Sequence, residues 1–376
     1  MARAPRLLAA LGLVLLTGLA GCGEDDDGAV RVGVILPMSG DQATYGEESW
    51  RGLQLAQDDL KAAGVKVPFR LLLQDEKSNP REAETQAKTL TEVNGVHVLL
   101  GTVASSNTAK IGGVAKAAGI PCITPASTND DLTKDNPFLS RICYKDSVQG
   151  RVLAEFARGS GWTRAVVVVD NESDYSRGFA ANFQTSFEAD GGTTHFEYFK
   201  SGNADFSNVI QSVADAKPEV IFFSGYYSDG GTMIKQAKAR WAGLPIIGGD
   251  GLDSAVFFSL LGDATNPIYF TTHFAPDAPD ERIQSFTRRY TERFGEQPGA
   301  MSALGYDVLF VLVDALKRCK DPKDPDALAA AIAATHGVVG ISGEISLDNP
   351  ERTPVKDVII VKVVGGAKSY HATIKP

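Results

Sequence analysis

Short apolar runs rich in β-branched residues alternate with longer stretches in which apolar side chains recur every three or four positions, and the alternation persists from Val30 to Thr272. A short run between turn residues reads as a buried strand, and the longer recurrence as one face of a helix. VRVGVIL, from Val30, is the first strand; the helix after it, over residues 47–63, brings Trp50, Leu53, Leu60 and Ala63 to one side and stops at Gly64. Strands follow at 69–74, 96–100, 120–124 and 138–141. Between them lie a helix capped by Asn79 with Pro80 in its first turn, where no backbone donor is lost, and a helix over 107–118 ended by Gly119. A second series of the same order begins after Asp146: helix 148–158, strand 165–169 (AVVVV), helix 177–189, strand 194–199, helix 209–216, a strand from Val220, helix 232–242, and strands IIGG and IYFTT. Beyond residue 272 the pattern changes to helices at 280–294, 302–320 and 325–334, then a terminal strand pair beginning in VKDVIIVKVV. The expected class is α/β, two doubly wound parallel-sheet lobes with right-handed crossovers, the tail crossing back over both.

The N-terminus has a different pattern. Arg3 and Arg6 precede fourteen mostly apolar residues, 7–20, too few to cross a hydrocarbon core of ~30 Å as a helix, which is the pattern of a signal peptide. Leu19, Ala20, Gly21 and Cys22 resemble the bacterial lipobox, in which small residues precede a cysteine whose sulfur receives diacylglycerol. The expectation is a signal peptide over 1–21, a lipid anchor on Cys22 and an acidic tether over 22–29. The tether lacks the alternation of a calcium loop.

Composition narrows the classes that remain. A chain of 376 residues favours about two domains, and 43% hydrophobic with 22% charged residues is ordinary globular material. The formal charge of −9 grows more negative by two when Arg3 and Arg6 are removed, which argues against a nucleic-acid partner. Cys122, Cys143 and Cys319 match neither zinc nor redox spacings; a Cys122–Cys143 disulfide is possible in an oxidising compartment. His97, His195, His273, His336 and His371 share no spacing, and each reads as a structural residue with no metal or general-base role. No G-x-S-x-G elbow, phosphate loop or dinucleotide fingerprint is present, so neither an enzyme nor a cofactor is expected, a hydrolase on a doubly wound sheet being the remote alternative.

In open α/β sheets, ligands gather beyond the carboxyl ends of the strands. GTVASSNTAK places Ser105, Ser106, Asn107 and Thr108 at the mouth of a helix, where free N–H groups and the dipole favour an anion. TPASTNDDL offers Ser127 and Thr128 before a second expected helical start. In the second series, Asp250 lies between Gly249 and Gly251, with Tyr226 in the matching position one strand away, a carboxylate and a phenol able to hold an ammonium. The competing readings are helix capping for the hydroxyls and an Asx turn for Asp250. An anion site on one lobe facing a cation site on the other describes a receptor for a zwitterion.

The lipobox together with VGVILPMSGDQATYGEESWRGLQLAQDDL, LLGTVASSNTA, IPCITPASTNDDLT, SVQG, YSRGFA and GGDG resembles the branched-chain amino-acid binding proteins that feed ABC transporters, of the type I periplasmic-binding fold. The resemblance implies two lobes joined by three crossing segments, here 30–147 with 275–350 and 148–274 with 351–376. It implies a monomer that closes on a small amino acid for handover to ABC permease subunits, outside the cytoplasm and held to the membrane only by its lipid. By the same resemblance Ser105 and Thr128 hold the ligand carboxylate with backbone from Ala126, and Tyr226 and Asp250 surround the ammonium. Tyr175 reaches in from the second lobe, and Tyr45, Val103, Ala104 and Met301 receive the aliphatic side chain. Two departures put the ligand in question: Asp250 replaces a glutamate and Met301 a usual aromatic. The alternative ligands on this fold are amides, urea and aromatic or organic acids.

Overall fold

In the computed structural model, which describes residues 28–262 and 264–376, the apolar runs of the first series form β1 (Val30–Leu36), β2 (Phe69–Asp75), β3 (Val98–Gly101), β4 (Cys122–Thr124) and β5 (Leu139–Arg141). They pair in parallel in the order β2-β1-β3-β4-β5. The connecting helices are α1 (Ala43–Ala62), α2 (Pro80–Lys88) and α3 (Ser105–Ala118). Asn79 Oδ1 accepts from the N–H groups of Arg81 and Glu82, so Pro80 stands where its missing donor costs nothing. The turn of π-helix over Thr89–Val93 carries the chain on to Gly95. Gly119, at φ +65°, ends α3 in the left-handed conformation that glycine adopts most readily.

After α4 (Asp146–Gly159), the second series forms β6 (Arg164–Asp170), β7 (Thr193–Phe199), β8 (Val220–Ser224), β9 (Ile246–Gly248) and β10 (Ile268–Thr272), with α5 (Asp174–Ala189), α6 (Ser207–Ala216), α7 (Tyr227–Ala237) and α8 (Ala255–Leu261) between them. Their order, β7-β6-β8-β9-β10, repeats that of the first sheet. The tail supplies α9 (Glu281–Phe294), α10 (Ala300–Arg318), α11 (Pro325–Ala333), a small hairpin of β11 (Val338–Gly340) and β12 (Gly343–Ile345), and finally β13 (Val358–Val364) and β14 (Ala367–Ile374). β13 and β14 extend the second sheet beyond β10 as antiparallel strands, so this sheet is mixed and not wholly parallel. The hairpin has no counterpart in the expected elements.

Two helical expectations fail because side chains are held by other elements. No helix follows Thr128: residues 130–135 form turns, because Asn129 Oδ1 accepts from Asp131 N–H while Asn129 Nδ2 and the Asp130 carboxylate bond to the start of α5 and to Ser147. The helix expected over 232–242 is displaced toward the N-terminus and ends at Ala237, after which Trp241 is pinned by its Nε1 donating to Ile210 O. Cys122 and Cys143 are buried free thiols, each facing its own carbonyl, Gly101 O and Ser127 O, and burial pushes both up to about 12. The signal peptide, Cys22 and the tether as far as residue 27 lie outside the described residues.

The tail helix α10 packs on α1 through glycine. A Cβ on Gly52 of α1 would stand 2.1 Å from Ser302 O, and one on Gly305 of α10 would stand 2.2 Å from Ser49 O, so the two backbones touch without side chains between them. Arg289 on α9 and the Tyr306 hydroxyl on α10 both reach Asp59, anchoring the same face. Gly52→Ala is therefore expected to destabilise the fold by about 1–3 kcal/mol through overpacking, even though alanine is preferred in a helix by about 1 kcal/mol. A urea unfolding midpoint equal to or above that of the unmodified chain would show that the helices part without cost.

Candidate functional site

The order of both sheets reverses beside their first strands, between β1 and β3 and between β6 and β8, and the loops leaving the carboxyl ends there carry most of the candidate residues. In the first lobe the segment after β1 leads to Tyr45 in the first turn of α1. That after β3 carries Val103 and Ala104 and delivers Ser105 as the first residue of α3, and that after β4 carries Ala126 and Thr128. In the second lobe Tyr175 follows β6 in the first turn of α5, Tyr226 follows β8 as the N-cap of α7, and Asp250 follows β9. Met301 comes from the first turn of α10. Ser105, Thr128, Tyr45, Tyr175 and Asp250 are each no more than 4% exposed.

Asp250 is the most heavily engaged of these. Its Oδ1 accepts from Gln149 Nε2 (3.0 Å) and the Tyr175 hydroxyl (3.1 Å), and its Oδ2 lies 3.1 Å from His273 Nε2. It caps no helix; Ser254 caps α8 instead, its Oγ accepting from Val256 N–H. The glycines around Asp250 admit neighbouring protein groups: a Cβ on Gly249 would stand 2.5 Å from the Tyr175 hydroxyl oxygen, and one on Gly251 2.6 Å from Gly225 O. The phenol bonded to Asp250 is thus that of Tyr175. Tyr226 stacks on the Tyr175 ring at 5.2 Å, and its own hydroxyl faces Ser173.

Three residues of this cluster carry no assignment from the sequence. Gln149 bridges two carboxyls, its Nε2 also lying 2.8 Å from Asp146 Oδ1, and Thr271 donates to its Oε1 at 2.7 Å, which fixes the amide orientation. Asp146 is buried with Oδ2 unpartnered; burial first, and the Asp250 charge second, raise its carboxyl well above the ordinary range and favour the neutral acid. His273, read from the sequence as structural, is fully buried against Asp250 and stacks on Tyr144 at 3.9 Å. Since a carboxylate oxygen only accepts, the neutral ring carries its proton on Nε2, and the buried Nδ1 has no partner among the described residues. The available signals were position alone: His273 directly follows a strand, and Asp146 and Gln149 share one face of the first turn of α4.

Across the cleft, the mouth of α3 is not spent on capping. Its N-cap is Ala104, and among the described residues no side chain bonds to its first N–H groups. Asn107 and Thr108 are structural: Asn107 Nδ2 donates to the buried Glu76, and the Thr108 and Ser127 hydroxyls lie 2.6 Å apart. Ser105 Oγ accepts a long bond from Asn129 N–H (3.3 Å), and Thr128 O accepts from Asp146 N–H (2.9 Å) where α4 begins. Tyr45, Val103, Ala126 and Met301 belong to one buried apolar cluster, with Ala104 buried beside them in sequence. Glu48, one turn after Tyr45, has its carboxyl pushed up to about 8 by burial and then by Asp253.

The lobes are closed on each other. The Tyr45 hydroxyl donates to Gly251 O at 2.6 Å, Asp174 N–H to Ser106 Oγ at 3.0 Å, and Asn129 Nδ2 to Asp174 O at 2.8 Å. The lobes meet beside Asp250, at Gly251, and beside Ser105, at Ser106, so a charge held between them is desolvated and must find its opposite. Among the described residues no cluster of acids, histidines and cysteines could hold a metal, and no helix is long and apolar enough to cross a membrane.

The chain is similar to several known binding proteins. The chain is 33% identical to a crystal structure of a leucine binding protein, LivK, from Thermotoga maritima, with a TM-score of 0.88 over 93% of this chain and 99% of that one. It is 27% identical to the branched-chain amino acid transporter substrate binding protein LivJ from Streptococcus pneumoniae in complex with isoleucine, with a TM-score of 0.85 over 93% and 100% of the two chains. A Leu/Ile/Val-binding protein of Rhizobium johnstonii, BraC3, is 26% identical over 81% of this chain and 83% of its own length. The family model described as periplasmic binding protein matches residues 29–368, and the chain belongs to that family.

Proposed function

We propose that this protein captures a branched-chain α-amino acid between its lobes and hands it to the membrane subunits of an ABC permease. The observation that carries the reading is that the lobes close beside both an uncapped helix mouth, with Ser105 at its first position, and the buried carboxylate of Asp250. In this reading Ser105, Thr128 and the backbone at Ala126 hold the ligand carboxylate. Asp250 takes the ammonium with Tyr226 nearby, and Tyr45, Val103, Ala104, Tyr175 and Met301 enclose the side chain. Binding is a protein task here, with no cofactor. The relatives' printed names, leucine and Leu/Ile/Val binding, support this ligand class.

Asp250 has one acceptor position left for the ammonium. A carboxylate offers about four acceptor positions; Gln149, Tyr175 and His273 occupy three, two on Oδ1 and one on Oδ2. The remaining position is on Oδ2, the oxygen His273 already holds. A side chain one methylene shorter than glutamate is thus pinned by three second-lobe groups.

The protein acts outside the cytoplasm, as its family does. We assign its attachment to lipid on Cys22, with residues 1–21 removed and the lobes formed by 30–147 with 275–350 and by 148–274 with 351–376. It works as a monomer, with neither nucleic acid nor a membrane-buried segment among its partners.

At about pH 8 leucine, isoleucine and valine should raise the melting temperature, a ligand at about 1,000 times its dissociation constant stabilising by ~4 kcal/mol. At that pH 4-methylpentanoate, without the ammonium, and isopentylamine, without the carboxylate, should do almost nothing. Asp250→Ala should cost about 2–5 kcal/mol of leucine binding, because truncation leaves a buried charge unpaired, and Ser105→Ala about 1–3 kcal/mol. Calorimetry showing 4-methylpentanoate, an aromatic acid, an amide or urea bound as tightly as leucine would replace the amino acid with that class. Cys22→Ala should move the protein from the membrane to the soluble fraction or block its processing; membrane retention of a processed variant would place the anchor elsewhere.

A further inference from the structure

We propose that His273 selects the charge class of the ligand: with its ring neutral the Asp250 site takes a zwitterion, and with its ring protonated the same site takes a monocarboxylate that lacks the ammonium. The inference rests on the ligand geometry proposed above and deepens it by naming a positioning residue that acts through Asp250. It starts from the shared oxygen. His273 Nε2 lies 3.1 Å from Asp250 Oδ2, and the single acceptor position left to an ammonium is on that oxygen. Imidazole proton and ligand ammonium therefore draw on one atom.

The charge count decides the outcome. With His273 neutral, Asp250 is a buried anion that has hydrogen bonds but no cation, and closure on a zwitterion supplies one. A ligand without the ammonium would leave that charge uncompensated, which is costly in a closed site. With His273 protonated, the His273–Asp250 pair is already neutral. An ammonium then adds a second cation to one carboxylate, and a plain carboxylate ligand meets a balanced site.

The groups facing the ring set how readily it protonates. Burial holds His273 below the ordinary histidine range; Asp250, through its hydrogen bond and charge, and Asp253 favour the charged ring, and Lys356 opposes it. Lys356 is itself buried, donating from Nζ to Ile142 O (3.0 Å) and Ser342 Oγ (2.6 Å), and burial brings it down to about 8. Tyr144 covers one face of the ring, and Asp146 reaches the cluster through Gln149. The unpartnered Nδ1 is where the second proton goes. The sign follows: leucine affinity is full above the ring's titration and falls as pH drops through it, while affinity for the monocarboxylate rises. By reciprocity, leucine lowers the ring's titration and the monocarboxylate raises it.

Calorimetric titration of leucine and 4-methylpentanoate from about pH 8 to about pH 5, on the full chain and on His273→Gln, reads the effect. Glutamine keeps an N–H able to donate to Asp250 but has no titratable ring. In the unmodified protein the preference for leucine should fall as the pH drops through the ring's titration, approaching about tenfold per pH unit for one linked proton. In His273→Gln it should stay flat. A constant preference in the unmodified protein, or a variant that keeps the slope, overturns the proposal. NMR of the His273 ring in the unmodified protein needs no variant: its titration should move to lower pH with leucine, and an unmoved titration with leucine demonstrably bound sinks the idea. A role in folding alone would move neither readout. Leucine bound equally at every pH would defeat only this inference; leucine bound at none would defeat the ligand class as well.

Discussion

A carboxylate that is 4% exposed must be hydrogen-bonded to be kept, and most of the second lobe's inner surface can be understood as the means of keeping Asp250. Its donors come from three separate elements: Gln149 from the first turn of α4, Tyr175 from the first turn of α5, and His273 from the segment leaving β10. Each is held in turn. Thr271 orients the Gln149 amide, Gly251 N–H donates to the Tyr175 hydroxyl, and Tyr144 stacks on His273. The close approach of Tyr175 leaves no space for a side chain at residue 249, which gives the GGDG motif a packing reason.

The two sheets share one strand order, so corresponding loops carry corresponding positions with opposite chemistry. Ser105 and Tyr226 follow the third strand of their series, and Thr128 and Asp250 the fourth. The first lobe presents helix N–H groups and hydroxyls, the second a carboxylate and phenols. The Tyr45–Gly251 bond closes the lobes beside Asp250, and in the proposed reading the ligand's two charged ends replace the water that each set would lose. Tyr144 and His273, just beyond the fifth strands of the two series, stack on each other.

Much of this was legible in the residues. Strand placement was readable because short β-branched runs between turn residues have few alternatives, and Asn79-Pro80 and Gly119 marked helix ends by mechanisms that are local. The failures are tertiary. The start of α1 precedes the expected one because Gln42 N–H is satisfied by Ser78 Oγ, a contact no local pattern announces, and the loop after Thr128 gives its side chains to other elements. At the site, motif order led to the strand-end residues but not to Gln149 or to the role of His273. Their meaning depends on a meeting with Asp250 across more than twenty residues of sequence in one case and a hundred in the other. Tyr175 and Tyr226 were both named, yet only the fold could tell which hydroxyl reaches the carboxylate.

The central claim is that one lobe reads the ligand's anion and the other its cation. A crystal structure of the full chain with bound leucine tests it most directly. The account predicts leucine enclosed between the lobes, its carboxylate on Ser105 and the N-terminus of α3, its ammonium on Asp250 Oδ2, and the Tyr45–Gly251 bond intact. Leucine bound outside the cleft, or inside it with the ammonium turned away from Asp250, would contradict it.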